Sequence, residues 1–414
     1  MAGSSGRAFV ADIAPLRRSA DYRRLWTGLT VGQLGQQMTA VVVAIQVYDL
    51  TRSSFAVGLV GGFAVVPLLV AGLYGGALVD ALDRRRLALL ASTGLWLMSL
   101  VLLLQAVLDL RLVWLLYAVV AVQSACFAVN NPARQAIIPR LLPAAMLPAA
   151  NALTTVSFSL GFTVGPLLGG LLAAGGRYAL AYGVDAALFL VALWALWRLP
   201  PMPPQGRVRR AGLGSVWEGL QFLRGRTAVW MTFAVDLCAM VLAQPRALFP
   251  EIADRVLGGG SRTVGLLQAA PAIGALVAGV SSGWLGRVRR QGLAVIVCVL
   301  AYGASVAAFG LAGSLWAGVV FLALSGALDM VSAAYRSTIL QVAAPDDMRG
   351  RLQGVFIVVV AGGPRLGDVV AGSAGSLLGP TVAVVAGGLA CMAATAVLAV
   401  RFRGLARYRP PEAA

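Results

Sequence analysis

Four aspartates stand inside long apolar stretches of the sequence: Asp185, Asp236, Asp329 and Asp368. A charged side chain at the centre of a membrane-spanning helix costs about 2.5 to 3.5 kcal/mol on insertion scales, so each one indicates a function. The sequence contains no histidine, and proton exchange near neutral pH therefore falls to carboxylates. The chemistry predicted for these residues is proton coupling. Asp185 fits a hydrogen bond to a neighbouring helix equally well.

Arginines in or beside the same stretches are candidate charge partners, namely Arg246, Arg336 and Arg365. Asp236 and Asp329 have no opposite charge within one helical turn, so they must face a cavity or a partner on another helix. A static ion pair with Arg336 or Arg365 is the alternative to proton exchange. Arg365 and Asp368 are three residues apart on one helix face and can simply neutralise each other.

The segment GGALVDALDRRRL concentrates charge immediately after an apolar run. Its marked residues are Gly76, Asp80, Arg84, Arg85 and Arg86. A carboxylate at a helix end can pair with arginines and a helix N-terminus in one conformation and release them in another, which predicts a conformational latch. The alternative is that the arginines only set membrane topology and the aspartate offsets their charge.

A second motif, GFTVGPLLGG, contains Gly161, Gly165, Pro166, Gly169 and Gly170. Glycines at this spacing give a smooth helix face for close contact, and the proline removes one backbone hydrogen bond and permits a kink. Small-residue packing without a transport role is the alternative.

Polar side chains that could contact a ligand occur in the first apolar run and directly after the fourth. Gln33 and Gln37 share one helix face, and Asn130 and Asn131 follow the fourth run. Hydrogen bonds between helices would explain them equally well. Trp230, Phe233 and Met240 could supply an apolar wall for the ligand, and contact with lipid or packing between helices is the alternative.

The elements that carry these residues are membrane helices. Hydrophobic residues make up 59% of the 414 positions, and a spanning helix needs about 20 apolar residues. Twelve such runs are predicted: Leu25–Val47, Ala56–Val79, Leu87–Val107, Leu112–Val129, Ala150–Ala174, Ala179–Trp197, Val229–Ile252, Val264–Leu285, Leu293–Leu311, Leu315–Ala334, Leu352–Leu377 and Pro380–Val400.

The longest break between runs divides the chain into two six-helix halves. It contains the proline-rich, basic stretch LPPMPPQGRVRRAG and then apolar residues at helical spacing, which predict a short amphipathic helix on the membrane surface. The predicted parts are a cytoplasmic N-terminal segment (1–24), the first half (25–197), a cytoplasmic linker with the amphipathic helix (198–228), the second half (229–400) and a cytoplasmic tail (401–414).

The two halves also resemble each other in sequence. Four positions in PARQAIIPRLLPAAMLPAAN have counterparts 202 residues later in AYRSTILQVAAPDDMRGRLQ: Arg134 and Arg336, Pro143 and Pro345, Met146 and Met348, Asn151 and Gln353. This common offset predicts parallel repeats of one unit.

The basic residues are distributed as in a membrane protein. The net charge is +17, and all 33 basic residues are arginine. Five lie in odd-numbered loops, three in or beside the runs, and the other 25 in the termini and even-numbered loops, which predicts that both termini are cytoplasmic. Their distribution loop by loop argues against a nucleic-acid partner.

Several other classes of protein lack support in the sequence. Without lysine the phosphate-binding GxxxxGK[ST] loop of an ATP-driven pump is impossible. The four cysteines have no paired spacing, so no metal site is predicted. No nucleophile motif indicates an enzyme, and no cofactor is expected. An ion channel needs a pore lined by a ring of charges or a carbonyl filter. Twelve spans in two similar halves suit a monomeric transporter better than such a pore.

Gly76, Asp80 and the following arginines resemble the loop signature of the major facilitator superfamily, and the resemblance extends over all twelve runs. The sequence departs from that signature at Ala81 and Asp83, and the second half has Gly283 but Arg287 in place of the aspartate. GFTVGPLLGG resembles the fifth-span motif of the superfamily's antiporters. The repeated segments, with ALFPEIADRVLGGGSRTVGLLQAAPAIGALVAG, resemble the branch that contains the enterobactin exporter and macrolide efflux proteins.

The resemblance implies an all-α membrane protein of twelve helices in two halves, which works as a monomer in the bacterial cytoplasmic (inner) membrane. It implies a proton-coupled antiporter that exports a small molecule, either a siderophore or a drug as in multidrug efflux, by alternating access. Protons, the cargo and the lipid bilayer are then its partners. Proton-coupled uptake on the same fold is the main alternative, followed by a channel or a membrane enzyme.

Overall fold

The computed structural model describes residues 12–203, 227–343 and 349–406. These residues form twelve long helices, numbered in chain order, and no strand. They are α1 (Ala20–Thr51), α2 (Ser54–Ala81), α3 (Arg84–Val107), α4 (Val113–Leu141), α5 (Leu147–Leu172), α6 (Tyr178–Trp197), α7 (Thr227–Leu242), α8 (Ser261–Val280), α9 (Gln291–Gly310), α10 (Leu315–Ala343), α11 (Arg349–Leu378) and α12 (Pro380–Arg401). The predicted amphipathic helix of the linker lies outside the described residues.

Polar side chains fix where the first helices begin. Ser19, Ser53 and Asp83 cap the N-termini of α1, α2 and α3, and each side chain accepts a hydrogen bond from a backbone N–H three residues later. Arg52 ends α1 with a φ of 52°, in the left-handed region. The chain therefore reverses within two residues, and α1 and α2 become antiparallel.

Ten segments of the described chain are long and apolar enough to cross a membrane. The other two long helices, α1 and α11, have 32 and 30 residues but carry polar side chains in their central turns, which lowers their hydropathy. The outer surface of the bundle exposes large apolar side chains, among them Trp114, Trp316 and Leu377. Lipid is the environment that such a surface requires.

The helices pack as two groups of six. In the first group α1 contacts α5 and α6, α4 contacts α2 and α3, and α3 contacts α6. In the second group α11 and α12 contact α7, and α9 and α8 contact α10. The two halves meet where α2 packs on α11 and where α5 packs on α8. We call the end where α1 joins α2 the odd-loop end, and the opposite end the even-loop end.

The predicted seventh span, Val229–Ile252, corresponds to one apolar segment, Trp230–Val256, but this segment is not a single regular helix. Helix α7 ends at Leu242, and after a short break the chain continues in a 3-10 turn, Arg246–Leu248, and further helical turns to Val256. Pro245 and Pro250 lie in this region, and each removes one backbone donor. The break turns Arg246 into the space between the two halves.

Candidate functional site

A cavity of about 300 Å³ lies between the two halves and is the candidate ligand site. Its first wall comes from α1, α2, α4 and α5, and its second from the segment after α7, from α8 and from α11. The polar side chains of the first wall are mainly neutral amides, and the second wall combines one amide, Gln268, with charged groups. The other amides and the charged groups are Gln33, Gln36, Gln37, Gln123, Arg246, Arg365 and Asp368. The volume suits a small molecule.

The polar residues predicted to contact a ligand come together here. Gln33 and Gln37 both line the cavity. Asn130 and Asn131 line a recess of about 30 Å³, together with the buried Arg134. The recess shares four lining residues with the cavity, namely Gln33, Gln36, Phe127 and Phe158. Hence the recess is a side extension of the cavity, on the side of α4.

The apolar wall predicted from Trp230, Phe233 and Met240 is not part of the cavity, and the alternative of lipid-facing and packing roles fits these residues. Trp230 is 45% exposed, Phe233 is buried, and Met240 packs against the backbone of α11. None of these three lines the cavity. Its aromatic residues are instead Phe127, Phe158 and Phe162, all from the first half. Nothing in their spacing distinguishes them from residues that pack between helices.

Arg246 and Asp368 form the charged group of the second wall. Arg246 Nε lies 3.9 Å from Asp368 Oδ1, and both side chains are mostly buried. Gln244, with its amide oxygen turned toward the guanidinium, accepts two hydrogen bonds of 2.9 Å from Arg246. Arg365, three residues before Asp368 on α11, makes no ion pair with it within 4 Å, but the two opposite charges still attract each other. The partner of Asp368 comes from across the helices, because the break after α7 presents Arg246 to α11.

A second charged group lies within the second half. Arg336 of α10 forms an ion pair with Asp236 of α7. It forms a second ion pair, of 3.3 Å, with Asp329, which lies about two turns earlier on α10 itself. Arg336 and Asp236 are buried, whereas the Asp329 side chain is 39% exposed. None of the three is among the residues that line the cavity.

Asp185 lies in the first half, away from the cavity. It is fully buried in α6 and accepts a hydrogen bond of 2.6 Å from Ser99 Oγ of α3. Its other oxygen has no partner in the described part of the chain, and it faces α1 at Gly35. Asp185 thus connects three helices of one half.

The charged segment between α2 and α3 is described only in part, since the side chain of Asp80 and the surroundings of Gly76 lie outside the described residues. Arg84 donates a hydrogen bond of 3.0 Å to the carbonyl of Ala136. Arg85 donates to the carbonyls of Leu196 and Trp197 at the C-terminus of α6, and the Arg86 backbone N–H donates to Asp83. These contacts all stay within the first half.

The glycines of α5 let the cavity-lining helix α1 approach closely. A methyl group at Gly161 would lie 2.6 Å from Gln33 Cγ, and one at Gly165 would lie 2.7 Å from Gln37 Cβ. Gly169 meets the carbonyl of Met38 in the same way, at 2.8 Å. The motif therefore positions both glutamines of the site.

The last glycine of the motif contacts the other half. A methyl group at Gly170 would lie 2.5 Å from the Ser261 carbonyl and 2.9 Å from Gly265 Cα of α8. In the same way, a methyl group at Gly265 would lie 2.5 Å from the carbonyl oxygen of Pro166. Here the two halves touch backbone to backbone.

The same arrangement recurs in α11, beyond the four repeat pairs that the sequence predicts. Gly363, Gly367 and Gly372 stand 202 residues after Gly161, Gly165 and Gly170. Gly363 and Gly367 pack on α7, and Gly372 packs on Ser54 and Gly58 of α2. Asp368 occupies the position that corresponds to Pro166.

Replacing Gly170 by alanine is expected to slow transport about tenfold. The added methyl group meets backbone atoms of α8 that cannot rotate away, and overpacking of this kind costs about 1 to 3 kcal/mol. The measurement is the initial rate of cargo movement in liposomes. Gly183→Ala is the matched control, because a methyl group there has only an ordinary contact, 3.7 Å from Leu103. Equal rates for the two variants would contradict the prediction.

Polar contacts join the halves at the odd-loop end. Arg52 Nη1 lies 3.1 Å from Asp254 Oδ2, and these residues are 202 positions apart, like the other repeat pairs. Ser54 donates a hydrogen bond to the buried Glu251. Together with the glycine contacts, they close this end of the bundle.

Comparison with known proteins gives a consistent result. A family model described as transmembrane secretion effector matches residues 10–407. The enterobactin exporter EntS of Shigella boydii serotype 18 is 28% identical over 412 residues, covering 98% of each sequence. A POT family transporter solved with 5-aminolevulinic acid has a TM-score of 0.77 at 11% identity, over 94% of this chain and 97% of that one. The nucleoside transporter NupG has a TM-score of 0.72 at 15% identity, over 94% and 100%.

Proposed function

The chain belongs to the transmembrane secretion effector family of the major facilitator superfamily, and from this premise we propose that it is a proton-coupled exporter of a small molecule. The family confirms the resemblance seen in the sequence, and it makes the chain a membrane transporter. Direction, energy source and cargo belong to the proposal. The observation that carries the proposal is the cavity between the two closely packed halves.

The contacts of the odd-loop end support alternating access. With 25 of 33 arginines in the termini and even-numbered loops, we place the even-loop end in the cytoplasm. In this proposal the closed odd-loop end faces outward, and the described contacts would belong to an inward-facing state that takes up cargo from the cytoplasm. Rocking of the halves about the cavity would break the Arg52–Asp254 pair and open the outer side.

Asp368 is the carboxylate that we propose as the proton carrier of the cavity. It lines the cavity, whereas Asp185 is enclosed in the first half and Asp236 is held by Arg336. Protonation of Asp368 would release Arg246, so proton binding would change the charge that the cargo meets. The Asp236–Arg336–Asp329 group would stabilise the second half and could exchange protons only through the more exposed Asp329.

Export is favoured over uptake by the glycine motif of α5, which resembles that of antiporters and here both positions the cavity glutamines and joins the halves. The same superfamily fold also occurs in the POT family transporter and NupG, and fold alone sets no direction. Uptake is therefore the second candidate, and a measurement of direction decides between them.

The test is transport in liposomes that contain the purified protein and carry an imposed pH gradient. A catecholate siderophore, a macrolide and a lipophilic dye are followed in parallel, with the gradient imposed in each direction. Cargo that moves against the proton flow supports the exporter, and movement of several cargoes indicates a multidrug pump. Movement with the proton flow would replace export by uptake. Transport that ignores the gradient would refute proton coupling.

A further inference from the structure

Arg134 of α4 is a buried guanidinium without a carboxylate partner. It is 6% exposed, and among the described residues its side chain donates a hydrogen bond from Nη2 to Ser92 Oγ at 3.1 Å. Its Nε has no partner in the described part of the chain, and no ion pair there involves it. Asn130 donates to the same Ser92 oxygen at 2.6 Å, which holds the two side chains together. A buried positive charge of this kind lacks the compensation that its burial requires.

The internal repeat shows what is absent around Arg134. Its counterpart 202 residues later is Arg336, which is neutralised by Asp236 and Asp329. The residues 202 positions before those two acids are Leu34 and Phe127. The first half therefore keeps the arginine of the repeat but has apolar side chains in place of its carboxylates.

The recess beside Arg134 is open to the cargo cavity and suits an acidic group. Its volume of about 30 Å³ has room for about two water-sized groups, such as the two oxygens of a carboxylate. Arg134 is the one charged residue in its lining, and the others include the amides of Gln33, Asn130 and Asn131. In the adjoining cavity two arginines face one aspartate. The described linings of the cavity and the recess therefore carry more positive than negative charge.

The aromatic side chains indicate where the rest of such a ligand would lie. Phe127 and Phe158 line both the recess and the cavity, so an aryl group attached to the acid would contact them. We propose that the cargo is an organic anion, with its carboxylate or phenolate bound by Arg134 in the recess and its apolar body in the cavity. This inference rests on the proposed transport function, because it names the class of molecule that the transporter carries.

The experiment measures binding by calorimetry, with the full-length protein in detergent and matched pairs of probes. Each pair consists of an aryl acid and a neutral amide of the same shape, namely salicylate with salicylamide and indoleacetate with indoleacetamide. We expect the wild-type protein to bind the acid of at least one pair about tenfold more tightly than its neutral analogue, the scale of one hydrogen bond to a charged group. Arg134→Gln is expected to remove that preference, and Arg134→Lys to keep part of it.

Arg140→Gln is the control, since it makes the same change on the same helix, where Arg140 donates to the carbonyl of Pro203 and does not line the recess. It should retain the preference for the acid. Equal or undetectable binding of acid and neutral analogue by the wild type, or unchanged preference in Arg134→Gln, would overturn the proposal. Because binding needs neither membrane nor gradient, a failure of export with acid preference intact removes only the transport proposal. Export of neutral cargo without acid preference removes only the anion site.

Discussion

Replacing Asp368 by asparagine is expected to reduce cargo movement driven by a pH gradient about 100-fold, the scale for losing a group that transfers protons. Asp368 is the carboxylate of the cavity wall, and it lies 3.9 Å from Arg246. Asparagine has nearly the same size and can still accept a hydrogen bond, but it cannot bind and release a proton. The measurement is the initial rate of gradient-driven transport in liposomes.

A second assay separates coupling from folding. Exchange of cargo for cargo without a gradient needs the cavity and its alternation but no proton transfer, so Asp368→Asn should retain it. Asp109→Asn is the matched control, because that side chain is 78% exposed in the loop after α3. Gradient-driven transport at the wild-type rate in Asp368→Asn would contradict the assignment and move the search to Asp329.

Replacing Arg336 by glutamine is expected to have the largest effect on stability. The change leaves Asp236 buried without its counter-ion, and removing one partner of a buried ion pair costs about 3 to 5 kcal/mol. That is a large part of the total stability of a typical domain, about 5 to 15 kcal/mol. Thermal unfolding in detergent, followed by tryptophan fluorescence, should show a clear decrease in Tm.

Two further variants test whether charge is the cause. The double variant Asp236→Asn with Arg336→Gln should recover much of the lost stability, because the unpaired carboxylate is removed as well. Arg134→Gln is the matched control at the corresponding repeat position, where no acid is left unpaired. A decrease in Tm as large for Arg134→Gln as for Arg336→Gln would show that loss of packing, and not of charge compensation, governs both sites.

The sequence predicts the parts of the fold that depend on local properties. Hydropathy and length locate the helices, because a spanning segment must satisfy its own backbone groups within an apolar solvent. Gln33 and Gln37 could be assigned to the cavity because polar side chains in a spanning helix are excluded from lipid. The glycines of α5 could be assigned to close helix contacts because residues without side chains allow two helix backbones to approach.

Contacts between helices could not be predicted in the same way. The pairing of Asp368 with Arg246 depends on a break after α7, whose position hydropathy does not reveal. The aromatic wall depends on which face of α4 and α5 turns inward, and both faces of a buried membrane helix are apolar. Phe127 and Phe158 were therefore indistinguishable from packing residues until the helices were placed.

The bare backbone contacts of the odd-loop end have a consequence for the thermodynamics of opening. Where Gly170 meets Gly265 and Gly372 meets Gly58, no side chain loses rotamer freedom when the halves come together. Ordering a long side chain can oppose association by about 1.5 to 2 kcal/mol, and among the described residues of this seam the long side chains that make polar contacts between the halves are Arg52 and Glu251. Closure of the outer side therefore orders few long side chains, and its conformational-entropy cost is small for a contact that joins two six-helix halves.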